Sequence, residues 1–154
     1  MSFSLIKIRK MADPDVLAIT NLESTCFKHP WPEKEIRYEL HDNPIAQTLV
    51  AENSEGQILG YLDFMITFDS ATINRLAVAP ASRNKGIAQS LLDEMVKICQ
   101  KQETSVEWIT LEVRSSNEAA KKLYLKNGWS VITVKKGYYD DGEDAIYMVR
   151  SIIL

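Results

Sequence analysis

The run Arg83-Asn84-Lys85-Gly86-Ile87-Ala88 carries the densest chemical signal in the chain, because it joins a β-like segment to an amphipathic helical one. The first amides of a helix lack helical acceptors and the helix dipole favours negative charge beside them, so such a junction can seat an anion. Gly86 lets phosphates approach the backbone, while Arg83 and Lys85 add positive charge at the same place. A diphosphate fits this pattern. On its own the signal is modest, since most basic turns ahead of a helix are solvated connections. Context sharpens it: Leu76-Ala77-Val78-Ala79 leads into the turn, and Pro80 ends that strand's capacity to donate ladder hydrogen bonds.

The elements that would position this turn follow from periodicity. Alternation in Ile6-Lys7-Ile8-Arg9 predicts a strand, and Asp13-Pro14 a helix cap with proline at the first helical position. Val16, Ile19 and Leu22 give that helix its apolar stripe as far as Cys26, and Trp31-Pro32 opens a second helix that stops before Asp42-Asn43-Pro44. Thr48–Ala51 and Ile58–Phe68 read as a hairpin, Ala71–Val78 as a further strand, and Ile87, Leu91, Met95 and Ile98 as the buried stripe of a long helix. Trp108–Val113 is β-like, Ser115 with Glu118 has the spacing of a capping box, and Gly128 sits where a left-handed residue ends a helix. Two strands, Trp129–Lys135 and Ala145–Ile152, flank the loop 137–144. This order predicts a single-domain α/β fold over residues 1–154, with a mixed sheet and helices on both faces.

Composition bounds the partners. With 154 residues, 45% hydrophobic, and 18 Lys plus Arg against 21 Asp plus Glu, the profile is that of one soluble domain without the basic face of a nucleic-acid binder. No apolar stretch approaches the roughly 18 residues of a membrane span, and Cys26 and Cys99 suit a reducing compartment, so a cytoplasmic location is expected. Neither these cysteines nor His29 and His41 have metal-ligand spacing, and no metal is expected.

The spacing of Arg83, Gly86 and Ala88 resembles the acetyl-CoA signature of Gcn5-related N-acetyltransferases. Further blocks extend the likeness: Leu111-Glu112-Val113-Arg114, Ser116-Asn117, Leu123-Tyr124, Asn127-Gly128-Trp129, Lys136-Gly137-Tyr138-Tyr139 and Gly142-Glu143-Asp144-Ala145. Over residues 73–150 they are similar to the bacterial RimI enzymes and archaeal N-terminal acetyltransferases, and earlier residues match more loosely through Phe27 and Pro30-Trp31. The resemblance implies a mostly antiparallel sheet whose central parallel pair splays apart, around Val78 and Glu112, to admit a thioester. It implies acetyl-CoA as cofactor, with Leu76, Ala77 and Val78 along its pantetheine arm, Arg83, Asn84, Lys85, Gly86, Ile87, Ala88 and Gln89 at its diphosphate, and Asn117 further along the arm. Protein or peptide N-termini would be the substrate, nascent chains or ribosomal proteins among them.

Acetyl transfer to an amine needs a neutral nucleophile, a polarised thioester carbonyl and a proton for the departing thiolate. An α-amino group with a pKa near 8 is about one-tenth neutral at pH 7, whereas a lysine near 10.4 is under about a thousandth neutral. A modest base therefore suffices for N-termini. By resemblance Glu112 is that base, acting through a water, and Tyr124 is the acid. Alternation places Glu112 on one strand face with Thr110 and Arg114, and the bland reading is a carboxylate paired with Arg114. Tyr124 could equally be a core aromatic beside Leu123. The resemblance gives Tyr138 and Tyr139 contacts to the first peptide units of the substrate, with Phe27 or Trp31 walling the first side chain. Thr72 stands where some archaeal relatives carry a histidine, which puts more weight on Glu112. Two other readings remain at this point: the same chemistry on lysine or a small amine, and an acyl-CoA-binding regulatory module without turnover.

Overall fold

The computed structural model describes residues 5–103 and 105–153. Its strands are β1 (Lys7–Lys10), β2 (Ala46–Glu52), β3 (Ile58–Thr67), β4 (Ser70–Val78), β5 (Trp108–Arg114), β6 (Ser130–Lys135) and β7 (Ala145–Ser151). The helices are α1 (Val16–Cys26), α2 (Glu33–His41), α3 (Ile87–Gln100) and α4 (Glu118–Lys126). The strands form one sheet in the order β1-β2-β3-β4-β5-β7-β6, antiparallel except for the central β4–β5 pair. The expected α/β architecture is thus present, element for element.

Helices cover both faces. On one side Ile87, Leu91, Leu92 and Met95 of α3 and Tyr124 of α4 share a buried cluster with Leu62, Phe64, Leu111 and Met148. On the other, Val16, Ile19 and Leu22 of α1 and Ile36 of α2 pack on Val50, Tyr61 and Ala77. Each fully buried side chain of this size contributes roughly 1.5–3 kcal/mol relative to exposure.

Two local expectations need correction. Asp13 does not cap the first helical segment. Residues Asp13–Asp15 form a 3-10 turn capped at Ala12, and it is the Asp15 carboxylate that accepts the Ala12 N–H, at 2.8 Å, while pairing with Arg9. The charge pair with Arg9 draws the acid one turn inward. Ser115 likewise does not cap α4: Asn117 does, its Oδ1 accepting the Ala120 N–H at 3.1 Å. Ser115 instead donates to Glu143, which also accepts from the Ser116 amide, so the loop before β7 satisfies these groups.

The feature that makes a site is where pairing stops. β4 and β5 pair in parallel only from Ser70 with Trp108 to Ile73 with Leu111, although both strands run on, to Val78 and Arg114. The splay thus opens just beyond Ile73 and Leu111. At the same point Asn74 is an extra residue in β4, since Phe64 pairs with Ile73 but Asp63 pairs with Arg75. A bulge of this kind changes which face each later side chain takes. Ala71 and Ile73 point into the α3 cluster before it, whereas Leu76 and Val78 do so after it, and Ala77 turns to the α1 cluster.

Candidate active site

The side expected to hold the cofactor is built around the turn into α3. Asn84 (φ 62°) and Gly86 (φ 80°) both adopt left-handed backbone, and Gly86 begins α3 without a side-chain cap. A Cβ built on Gly86 meets nothing within 4 Å. The uncapped amides therefore face open space, the shape and polarity a diphosphate needs.

The neighbouring side chains have definite places. Arg83 folds back to donate through Nε to the Val78 carbonyl at 3.0 Å, with Nη2 3.6 Å from Cys26 Sγ, closing the end of β4. The Gln89 amide exchanges hydrogen bonds with Asn127 at the end of α4 and donates to Asp93, tying α3 to α4, so only its backbone remains at the turn. Asn117 spends its carbonyl oxygen on the α4 cap, close to the Tyr124 helix start. Ile87 is buried under the turn, and Lys85 and Ala88 complete it.

Tyr124 and Glu112 occupy opposite faces of the opened sheet. Tyr124 is 5% exposed and meets Trp129 edge-on with ring centroids 5.5 Å apart. Burial pushes its phenol pKa up, so it stays protonated. Trp129 is itself held by its indole N–H donating to the Ile109 carbonyl at 3.0 Å. Glu112 lies opposite, on the face where Thr72 and Thr110 hydroxyls meet at 3.0 Å.

Glu112 does not pair with Arg114. That guanidinium is taken by Asp141 and Glu143, each at 2.9 Å, and it stacks 4.0 Å from the Tyr139 ring centroid. Glu112 instead faces Lys135, at 3.4 Å, and Tyr138, whose phenol pKa it raises by hydrogen bonding and charge. Its Oε2 is buried yet accepts no hydrogen bond among the described residues. Lys135 escaped sequence reasoning because it reaches Glu112 from across β7, on a different hairpin arm.

The side expected to meet the substrate is closed by two loops. Tyr138 and Tyr139 stack edge-on at 5.1 Å in the loop between β6 and β7. Phe27 and Trp31 sit in the loop between α1 and α2. Asp141 joins these loops, 3.4 Å from Lys28 Nζ and 4.0 Å from His29 Nε2, and the Glu143 amide that donates to it, with Arg114 beside it, lowers its pKa to about 2. All four aromatic candidates therefore belong to one rim. Beneath it lies a hub that the sequence analysis missed: buried Glu23 of α1 accepts from the Tyr61 hydroxyl, from the Trp31 N–H at 2.6 Å, and pairs with Arg75 at 3.1 Å. A signal existed, since Glu23 lies seven residues past Val16, on the apolar stripe of its helix.

A splayed parallel pair, an uncapped glycine turn at a helix start, and a carboxylate and a phenol on either side of the gap define a class. The family model described as Acetyltransferase (GNAT) family matches residues 16–129, and the chain belongs to that family. By that membership it is an N-acetyltransferase with acetyl-CoA as its cosubstrate.

A Bacillus subtilis (strain 168) chain provisionally named ribosomal protein bS18-alanine N-acetyltransferase is 34% identical over 146 residues, covering 94% of this chain and 95% of that one. The catalytic subunit NAA10 of the Arabidopsis thaliana N-terminal acetyltransferase A complex is 31% identical over 154 residues, covering 96% and 79%. Among solved structures, the ribosomal-protein-S18-alanine N-acetyltransferase of Escherichia coli superposes with a TM-score of 0.86 at 27% identity, covering 97% and 96%.

Proposed function

We propose that this enzyme acetylates the α-amino group of protein and peptide N-termini in the cytoplasm, nascent chains or ribosomal proteins among them. The observation that carries the reading is the arrangement at the splay: Glu112 on the face under the aromatic rim, its buried Oε2 without a hydrogen bond among the described residues and 3.4 Å from Lys135 Nζ, and Tyr124 on the face of the α3 turn. The names of the similar proteins, which act on ribosomal protein bS18 or protein N-termini, support the same substrate class.

Acetyl-CoA supplies the activated acetyl group. The turn Arg83–Gln89 and the β4 segment Leu76–Val78 bind it, and Asn117 lies further along the same face. Glu112 takes the proton of the incoming ammonium through a water, freeing the nitrogen lone pair to attack the acetyl carbon. As the carbon–sulfur bond breaks, Tyr124 gives its hydroxyl proton to the departing sulfur, and the second proton that the nitrogen sheds on becoming an amide passes through solvent water and restores the phenol. Burial keeps Tyr124 protonated for that step. Phe27 and Trp31 wall the first side chain, and Tyr138 and Tyr139 hold the peptide units that follow.

A pair of lysine-containing peptides, one with a free and one with a blocked N-terminus, tests the reading by thiol release and mass spectrometry. Acetylation of the free peptide alone, on its first residue, is expected. Transfer to the lysine of the blocked peptide overturns it, and coenzyme binding without thiol release overturns catalysis.

A further inference from the structure

We propose that Arg75 is a positioning residue that holds the Phe27–Trp31 loop as a rigid wall of the peptide site. This rests, for its catalytic consequence, on the N-terminal substrate reading above.

Arg75 immediately follows the Asn74 bulge, in the part of β4 that has parted from β5. Strict alternation from Ile73 would put residue 75 into the α3 cluster, where a guanidinium could not be solvated. The bulge instead turns it toward α1 and the aromatic loop. There its guanidinium carbon lies 4.2 Å from the Phe27 ring centroid and 5.0 Å from that of Trp31. The ring quadrupole holds the cation at each face, more strongly as water is excluded.

Three polar contacts fix the same loop. Arg75 Nη2 donates to the His29 carbonyl at 2.9 Å and pairs with Glu23 Oε1 at 3.1 Å, and that same oxygen accepts the Trp31 N–H. Glu23 is fully buried, and Arg75 is the cation that pairs with it. The arrangement is costly, because the buried Arg75 Nε has no acceptor among the described residues. A residue serving only the core would be better replaced by an apolar side chain. What the guanidinium does here, and an aliphatic chain could not, is touch two rings and a loop carbonyl while anchored from below.

The test compares Arg75→Lys, Arg75→Met and the double variant Glu23→Gln/Arg75→Met, each as the full chain. Steady-state KM is measured for an unblocked alanine-first peptide and for acetyl-CoA, alongside the rate of trypsin cleavage after Lys28 in the folded protein. Arg75→Met is expected to raise the peptide KM about tenfold, with kcat and the acetyl-CoA KM within about twofold, and to speed cleavage at Lys28. Arg75→Lys recovers part of the loss, since it pairs with Glu23 but offers no planar face. The double variant removes the stranded buried charge, regains thermal stability, and keeps the raised peptide KM and the fast cleavage. A folded double variant with wild-type peptide KM, or with wild-type protection at Lys28, overturns the proposal. Failure of the substrate reading looks different: the wild-type enzyme ignores the peptide, while Arg75→Met still exposes Lys28.

Discussion

The two sides of the splay are held together by different kinds of contact. On the proposed cofactor side, β4, the turn and α3 are consecutive in the chain, and the surface offered is mainly backbone amides shaped by Asn84 and Gly86. On the proposed substrate side, Glu23, Phe27, Trp31, Arg75, Arg114, Lys135 and Asp141 come from four separate stretches, 23–31, 75, 114 and 135–141, and meet through ion pairs and ring stacking. Backbone recognition of a constant ligand tolerates few changes, whereas a rim of side chains can be rearranged to suit different peptides.

Breaking the cofactor side should give the largest effect. Gly86→Glu places a side chain at φ 80° and a carboxylate where phosphates would sit, so calorimetric titration with coenzyme A should show affinity falling by roughly 100-fold or more. Undiminished heat of binding would show that the turn is not the diphosphate site.

Glu112→Gln cuts between the two sides. Turnover should fall about 100-fold with coenzyme affinity unchanged, because only proton removal from the amine is lost. The Tyr138 phenol should also titrate lower, since Glu112 is the first cause of its elevation, and ultraviolet difference spectra would follow it. Wild-type turnover would remove Glu112 as the base.

The smallest effect sharpens the picture of the bulge. Asp63, buried beside it, accepts from Asn74 Nδ2 at 2.9 Å and Thr48 Oγ1 at 2.7 Å, and burial pushes its pKa up to about 7. In the unfolded chain its pKa is about 4. Between those values the unfolded chain has lost the proton that the folded protein keeps, so this group costs stability as pH rises, with no cost below about 4 and the full cost above 7. Asp63→Asn should flatten the slope of unfolding free energy across that window in urea titrations. A slope equal to wild type would place the Asp63 titration elsewhere.

The same contrast explains what could be read in advance. The strand, turn and helix of the cofactor side are local, so hydrophobic period and one glycine disclosed them, and alternation put Glu112 opposite Leu111 and Val113 as found. Side-chain partners were not legible. Arg114 is two residues from Glu112 on the same face, yet Asp141 and Glu143 claim it through charge-assisted bonds. The α4 cap moved from Ser115 to Asn117 because Glu143, far along the chain, satisfies Ser115 and Ser116. Nor did period-two alternation show that β4 changes face at Asn74. Glu23 and Arg75 escaped notice for that reason, each being a lone charge whose partner depends on the other's fold.

The extra residue at Asn74 also sets how this enzyme can vary over time. A substitution in β4 changes one side chain, and deleting Asn74 would keep Ile73, Leu76 and Val78 toward α3 and Arg75 toward α1, because the partner residues Phe64, Asp63 and Leu62 alternate without interruption in β3. Length at that point is therefore freer than the pairing on either side of it: a residue lost there takes the Asn74 amide away from Asp63 but leaves both linings of the sheet in place.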